Sequence, residues 1–244
     1  MMARYSGMQQ RLVIVEGIMG SGKSTAARGL AARLNDAGHP ARPLTEKKFP
    51  HPLRATDDLA HWFQPWLDVT PAELASRNLA KWRQFVQSGL ESGTVATALD
   101  GQLFHGDVTH LFLMEAGDSF IAEHIAAVQE IARPMAPLVI YLYQADVDRA
   151  IRTVGAERGD EWLKAQLDWK LGFPYARRRG LAGLEGLIEM YKDYRRLTDQ
   201  LFAALALDKL AIETSGGDWP AYGAAMYRAL GLPEHAGTDS TTSR

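Results

Sequence analysis

The chain has 244 residues, 46% of them hydrophobic, enough for one large core, and a formal net charge of −2 that argues against wholesale electrostatic binding of nucleic acid. It contains no cysteine, which excludes disulfides and thiolate metal sites, and no apolar run reaches the ~18 residues needed to span a bilayer. The opening MMARYSGMQQ lacks the apolar core of a signal peptide, so a soluble, cytoplasmic protein without a membrane partner is expected.

In chain order, the first predicted element is a strand, Leu12 to Val15, followed by Glu16 and Gly17. A glycine-punctuated turn then leads into a helix with Ala27, Leu30, Ala31 and Leu34 at helical spacing. Gly17, Gly22, Lys23 and Ser24 satisfy the pattern G-x-x-x-x-G-K-[ST], in which glycines let backbone N–H groups converge on phosphate oxygens. Gly20, Ser21 and Thr25 belong to the same loop. Lys23 is expected to reach the β and γ phosphates of ATP, and Ser24 to ligate Mg²⁺, with Thr25 the weaker ligand.

ARPLTE reads as a second strand ending at Glu46, whose carboxylate would reach the carboxyl edge of the sheet. Trp62, Phe63 and Trp66 follow as an aromatic cluster, either core or the wall of a flat substrate pocket. The next helix opens with Thr70 as N-cap, Pro71 at the first helical position and Glu73 closing a capping box, and its buried stripe is Ala75, Leu79, Trp82 and Val86. TVATALD forms a strand ending at Asp100, which is either a turn former or a group that holds Mg²⁺ or orients the acceptor; Gln102 and His105 lie just beyond. LVIYLY ends a fourth strand at Tyr143, and KLAIET a fifth at Thr214. Between them a helix around Leu184 to Leu205 buries Leu187, Tyr191, Tyr194, Leu201 and Leu205. Alternating strands and helices imply a parallel sheet covered on both faces, without an internal repeat.

With the phosphate loop after the first of five strands, the chain from about Gln10 to Leu232 resembles the P-loop kinases of the thymidylate-kinase and deoxyribonucleoside-kinase group. The resemblance implies a P-loop NTPase fold of the α/β class, a five-stranded parallel sheet with helices on both faces and a helical lid. It also implies that ATP and Mg²⁺ serve transfer to a small-molecule acceptor; a homodimer is left open. The LTE segment resembles one whose glutamate is general base toward a sugar hydroxyl, which implies that role for Glu46. Thymidylate kinases place a phosphate-gripping arginine where this chain has Thr45, a difference that favours a hydroxyl acceptor, although a nucleoside monophosphate remains the alternative. Both groups carry arginine after the third-strand acid, where Gly101 stands here.

By the same resemblance Arg77 is directed at the acceptor, unless it is simply solvated, and Arg158, before Gly159, is the lid arginine. Arg152 fits a surface pair with Asp148 better, and Arg177, Arg178 and Arg179 read as a solvated basic loop. Thr214 to Asp218, Gly216 among them, correspond to a loop that contacts adenine. None of the seven histidines pairs at the spacing of a helical zinc motif, and His51 is an exposed loop residue or a neighbour of the acceptor pocket. The expected organisation is a flexible start over residues 1–9, a kinase-like domain over 10–232 with its lid and insertion at about 152–185, and a disordered tail over 233–244. A nucleotide-binding ATPase or switch is the remaining alternative.

Overall fold

A computed structural model describes residues 12–91 and 95–233. The expected flexible start and nearly all of the expected tail lie outside the described residues. Strand β1 (Leu12–Glu16) is buried throughout and pairs on one side with β3 (Ala96–Asp100) and on the other with β4 (Pro137–Tyr143). With β2 (Ala41–Leu44) outside β3 and β5 (Asp208–Glu213) outside β4, the all-parallel order is β2-β3-β1-β4-β5. This is the α/β architecture expected of a P-loop NTPase, with the glycine-rich loop leaving the carboxyl end of the central strand.

Alternate residues of a strand face opposite sides of a sheet, so β1 feeds two cores. Val13 and Val15 pack with α1 (Lys23–Asp36) and α9 (Trp219–Ala229), where Ala27, Leu30, Ala31 and Leu34 are buried as their spacing requires. Leu12 and Ile14 pack into the larger core with α2 (Pro71–Glu91), α3 (Thr109–Leu113) and α4 (Asp118–Ala132). The same core takes α5 (Val147–Arg158), α7 (Pro174–Arg179) and α8 (Gly183–Ala204), while α6 (Asp160–Lys170) packs against it with partly buried residues. The capping box forms: Glu73 accepts from the Thr70 N–H at 2.8 Å, and Thr70 Oγ1 from the Glu73 N–H at 3.3 Å.

The second strand stops earlier than its composition suggests. Pairing of β2 with β3 ends at Leu44 opposite Leu99, and the chain then turns, the Lys48 N–H donating to the Thr45 carbonyl at 3.0 Å, so Glu46 lies in a turn. Strand β5 ends at Glu213, although the Thr214 N–H still donates to the Tyr143 carbonyl at 2.7 Å. The arginine run is helical, not a loop: it closes α7, and Arg178 and Arg179 both reach Glu115, at 2.5 and 2.7 Å. After β3 the chain makes a π-helical turn, Leu103–Val108, which no local pattern announced. Among the described residues no helix is long and apolar enough to cross a membrane.

Candidate functional site

The loop after β1 takes its shape from its glycines. Gly17 has a φ of +146°, and a Cβ there would lie 2.2 Å from the Leu142 carbonyl oxygen, so only glycine lets the loop leave the sheet this closely. Gly22 precedes α1 and offers no capping side chain, which leaves the first-turn N–H groups of Lys23, Ser24 and Thr25 to an anion. The indole of Trp219, at the start of α9, rests on Gly22, where an added Cβ would meet it at 2.1 Å. Lys23 is buried and its Nζ donates to the Ile18 carbonyl at 2.9 Å. Burial draws its pKa down, against the pull of Glu46, Asp100 and Glu16.

A cleft of about 650 Å³ opens beside this loop, along the carboxyl edge of β1 and β3. Gly20, Gly22, Lys23, Ser24 and Thr25 line one side; Glu46, Asp100, Gln102 and His105 line another, and Trp62, Trp169 and Arg158 contribute further wall. Asp100 ends β3 opposite Val15, and both of its carboxylate oxygens are buried with no hydrogen-bond partner. An acceptor-only group left in that state asks for a cation. Gly101 has a φ of +59°, and a Cβ there would lie 2.9 Å from Lys23 Cε and 3.1 Å from His105 Cβ. Glycine at this position lets the chain pass close to the Lys23 stem.

Glu46 reaches the same cleft from the turn after β2, its carboxylate 3.4 Å from His105 Nε2. His105 is drawn below the usual histidine range, first by burial and then by Lys23, which outweigh its attraction to Glu46. The pair is therefore a neutral imidazole donating to a carboxylate, and the bond from His105, opposed by burial, holds Glu46 down to about 2. Arg54 fixes the turn, donating to the carbonyls of Glu46 at 2.8 Å and Lys48 at 3.1 Å while pairing with Asp57.

Among solved structures the chain is similar to thymidylate kinase from Candida albicans, with 14% sequence identity, 84% of each chain covered and a TM-score of 0.49. No protein-family model matches the chain, and no curated protein does. The residues of the cleft themselves carry the functional conclusion.

Several predicted residues lie elsewhere. Arg77 is exposed and does not line the cleft, because the buried face of α2 is set by Leu74, Ala75, Asn78, Trp82 and Phe85. Thr214 and Gly216 do not line it either: Thr214 is buried with its hydroxyl donating to the Tyr143 carbonyl at 3.2 Å, and Gly216 is exposed. Gly17 and Ser21 shape the loop from beneath, Ser21 Oγ being buried and unpartnered. Arg152 pairs with Asp148, as its spacing implied, and with Glu185. His51 is buried rather than exposed; its Nδ1 accepts from the Leu53 N–H at 3.2 Å. Trp66 packs on Phe173, while the tilted rings of Trp62 and Phe63 lie with centroids 3.6 Å apart at the cleft, so the aromatic cluster divides between core and wall.

Three contributors had no sequence signal of their own. Glu16, fully buried, accepts from the N–H groups of Leu103 at 2.7 Å and His105 at 3.1 Å, tying the phosphate loop to the π-helical turn. Asp107, in that turn, accepts from Trp82 at 2.9 Å and pairs with His124 at 3.1 Å behind Gln102. Arg54, eight residues beyond Glu46, is the third. The donor set fits a divalent ion shared with phosphate oxygens: one hydroxyl, Ser24, and one uncommitted carboxylate, Asp100, suit an ion that keeps waters and substrate oxygens.

Proposed function

We propose that this chain is an ATP-dependent phosphotransferase that moves the γ-phosphoryl group of Mg²⁺-bound ATP to a hydroxyl of a small molecule. The observation that carries the proposal is that Glu46, held by His105, shares one cleft with Lys23 and the glycine-rich loop. A phosphate acceptor needs a cation to grip it and no base, whereas an alcohol needs a proton acceptor. Of the cations near this turn that line the cleft, Arg54 is engaged by Asp57 and two carbonyls and Lys47 is exposed, while the Glu46 carboxylate lines the cleft beside His105.

In this proposal the loop N–H groups and Lys23 hold the β and γ phosphates. The acceptor oxygen forms its bond to the γ phosphorus as the bond to the β–γ bridging oxygen breaks, the hydroxyl proton passes to Glu46, and ADP leaves. Ser24 and Asp100 would hold Mg²⁺, which when bound neutralises charge on the phosphates. Arg158, at the end of α5, would meet charge developing on the transferring group, with residues of about 152–185 serving as lid and acceptor wall within a domain spanning 10–232. Residues 214–216 are left for the adenine only through their backbone.

The test is a panel of nucleosides, nucleoside monophosphates and hydroxylated metabolites with Mg²⁺ and ATP, products read by phosphorus NMR. A phosphate monoester is expected. An anhydride would make the chain a nucleoside monophosphate kinase, and ATP consumption independent of every acceptor would make it an ATPase.

A further inference from the structure

At the end of α6 the chain buries a lysine with which no carboxylate pairs among the described residues. Lys170 is 1% exposed, and among the described residues its Nζ has no ion pair and no hydrogen bond. Its neighbours are aromatic: Nζ lies 4.1 Å from the centroid of the Trp169 ring and 5.7 Å from that of Tyr191. Those two residues carry unmet donors of their own, since Trp169 Nε1 and the Tyr191 hydroxyl are both buried without a partner. Lys170 Nζ, Trp169 Nε1 and the Tyr191 hydroxyl are thus three donors in one neighbourhood, none with a hydrogen-bond acceptor among the described residues. Burying a cation without a partner is costly, and ring faces recover only part of that cost. Burial accordingly draws the Lys170 pKa toward about 7, with Glu46, already bonded to His105, the carboxylate that pulls against it.

The cluster adjoins the site rather than the far side of the molecule. Trp169 lines the cleft, its ring 5.9 Å from that of Phe63, and His110, another wall residue, stands 6.3 Å from it. His110 brings no competing charge: burial pushes its pKa down to about 4, and its Nδ1 donates to the Gly106 carbonyl at 2.9 Å.

We infer that Lys170, the Tyr191 hydroxyl and Trp169 Nε1 form a subsite for an anionic group, a carboxylate or a phosphate, carried by the acceptor alongside the hydroxyl that is phosphorylated. The inference rests on the phosphotransferase proposal for calling the ligand an acceptor; the subsite itself needs no turnover to be detected. It narrows the substrate class to acidic alcohols. An oxyanion there completes the three donors, keeps Lys170 charged and orients the acceptor through a group remote from the bond being made.

The experiment keeps the phosphate loop occupied with Mg²⁺ and a non-hydrolysable ATP analogue, so that added anions report on the second site alone. Inorganic phosphate and malonate are titrated separately by calorimetry, with chloride matching ionic strength. At least one of the two is expected to bind saturably. Lys170→Met should weaken that binding by about tenfold or more, and Tyr191→Phe, which keeps the ring, by a smaller factor. Lys47→Met, at an exposed lysine of the same cleft, should leave it within about twofold. Preference between phosphate and malonate then identifies the group. Absence of saturable binding by both anions, or binding that survives Lys170→Met and Tyr191→Phe unchanged, overturns the inference. So does loss of thermal stability in Lys170→Met with anion affinity intact, which would make the lysine structural. Anion binding without phosphotransfer would sink the kinase proposal and leave the subsite standing.

Discussion

A carboxylate bonded to a neutral imidazole is ionised throughout the physiological range but is a weak base, and that combination sets what Glu46 can do. Phosphoryl transfer through a loose transition state asks little of a base until the new bond is nearly made, so a carboxylate held at about 2 is adequate when positioned well. Glu46→Gln keeps the reach toward His105 and loses the proton acceptor. Its kcat is expected to fall by roughly 10²–10⁴, with ATP affinity unchanged by calorimetry. Because Glu46 stays ionised down to about 2, the acid limb of the wild-type kcat profile belongs to another group. Arg158 is argued the same way. Its guanidinium stands 6.0 Å from the Trp162 ring and lines the cleft without an ion pair among the described residues, free to swing toward charge that develops only in the transition state. Arg158→Ala should lower kcat on the order of 10² or more, while ATP dissociation measured without turnover stays within about twofold. A matching loss in ATP affinity would place its contact in the ground state.

Among the elements, those whose signals are local were legible and those fixed by neighbours were not. The loop from Gly17 to Ser24 carries its conformation in its glycines, and Thr70 and Glu73 announce the start of α2 three residues apart. Removing that box by Thr70→Ala should cost about 1 kcal/mol, which for a chain of this size lowers Tm by roughly 2–4 °C. Activity at 25 °C should be unchanged, because neither Thr70 nor Glu73 lines the cleft. By contrast, the end of β2 is decided by how far β3 extends beside it, and the facing of Arg77 by Leu74 and Asn78, which the apolar spacing alone did not rank. Asp107 and His124 lie 17 residues apart and meet only because α4 packs behind the π-helical turn. Lys170 carried no sign of burial in a segment as charged as DEWLKAQLDWK.

For the molecule as a whole, Glu16 couples the fold to pH. Burial raises its pKa from 4.5 to about 7, so between those values the folded chain binds a proton that the unfolded chain does not. Its contribution to stability is present in full below about 4.5 and is lost as pH rises through about 7. Urea unfolding at pH 5, 6, 7 and 8 should therefore show wild type losing stability relative to Glu16→Gln as pH rises; parallel curves would mean that Glu16 is ionised in the folded chain throughout. The six tryptophans add an optical consequence. Trp219 is 41% exposed, yet its ring lies on Gly22, at the threshold of α1. Phosphate entering the loop must alter the field and solvent around that indole, whereas anion entering near Lys170 alters those around Trp169. Trp219 thus reports on the phosphate loop and Trp169 on the cleft wall, with Trp62 and Trp162 as further indoles lining the cleft. Trp219→Phe should diminish the emission change produced by ADP while preserving the one produced by malonate, so that the order in which the two ligands bind can be followed by light alone, without a label.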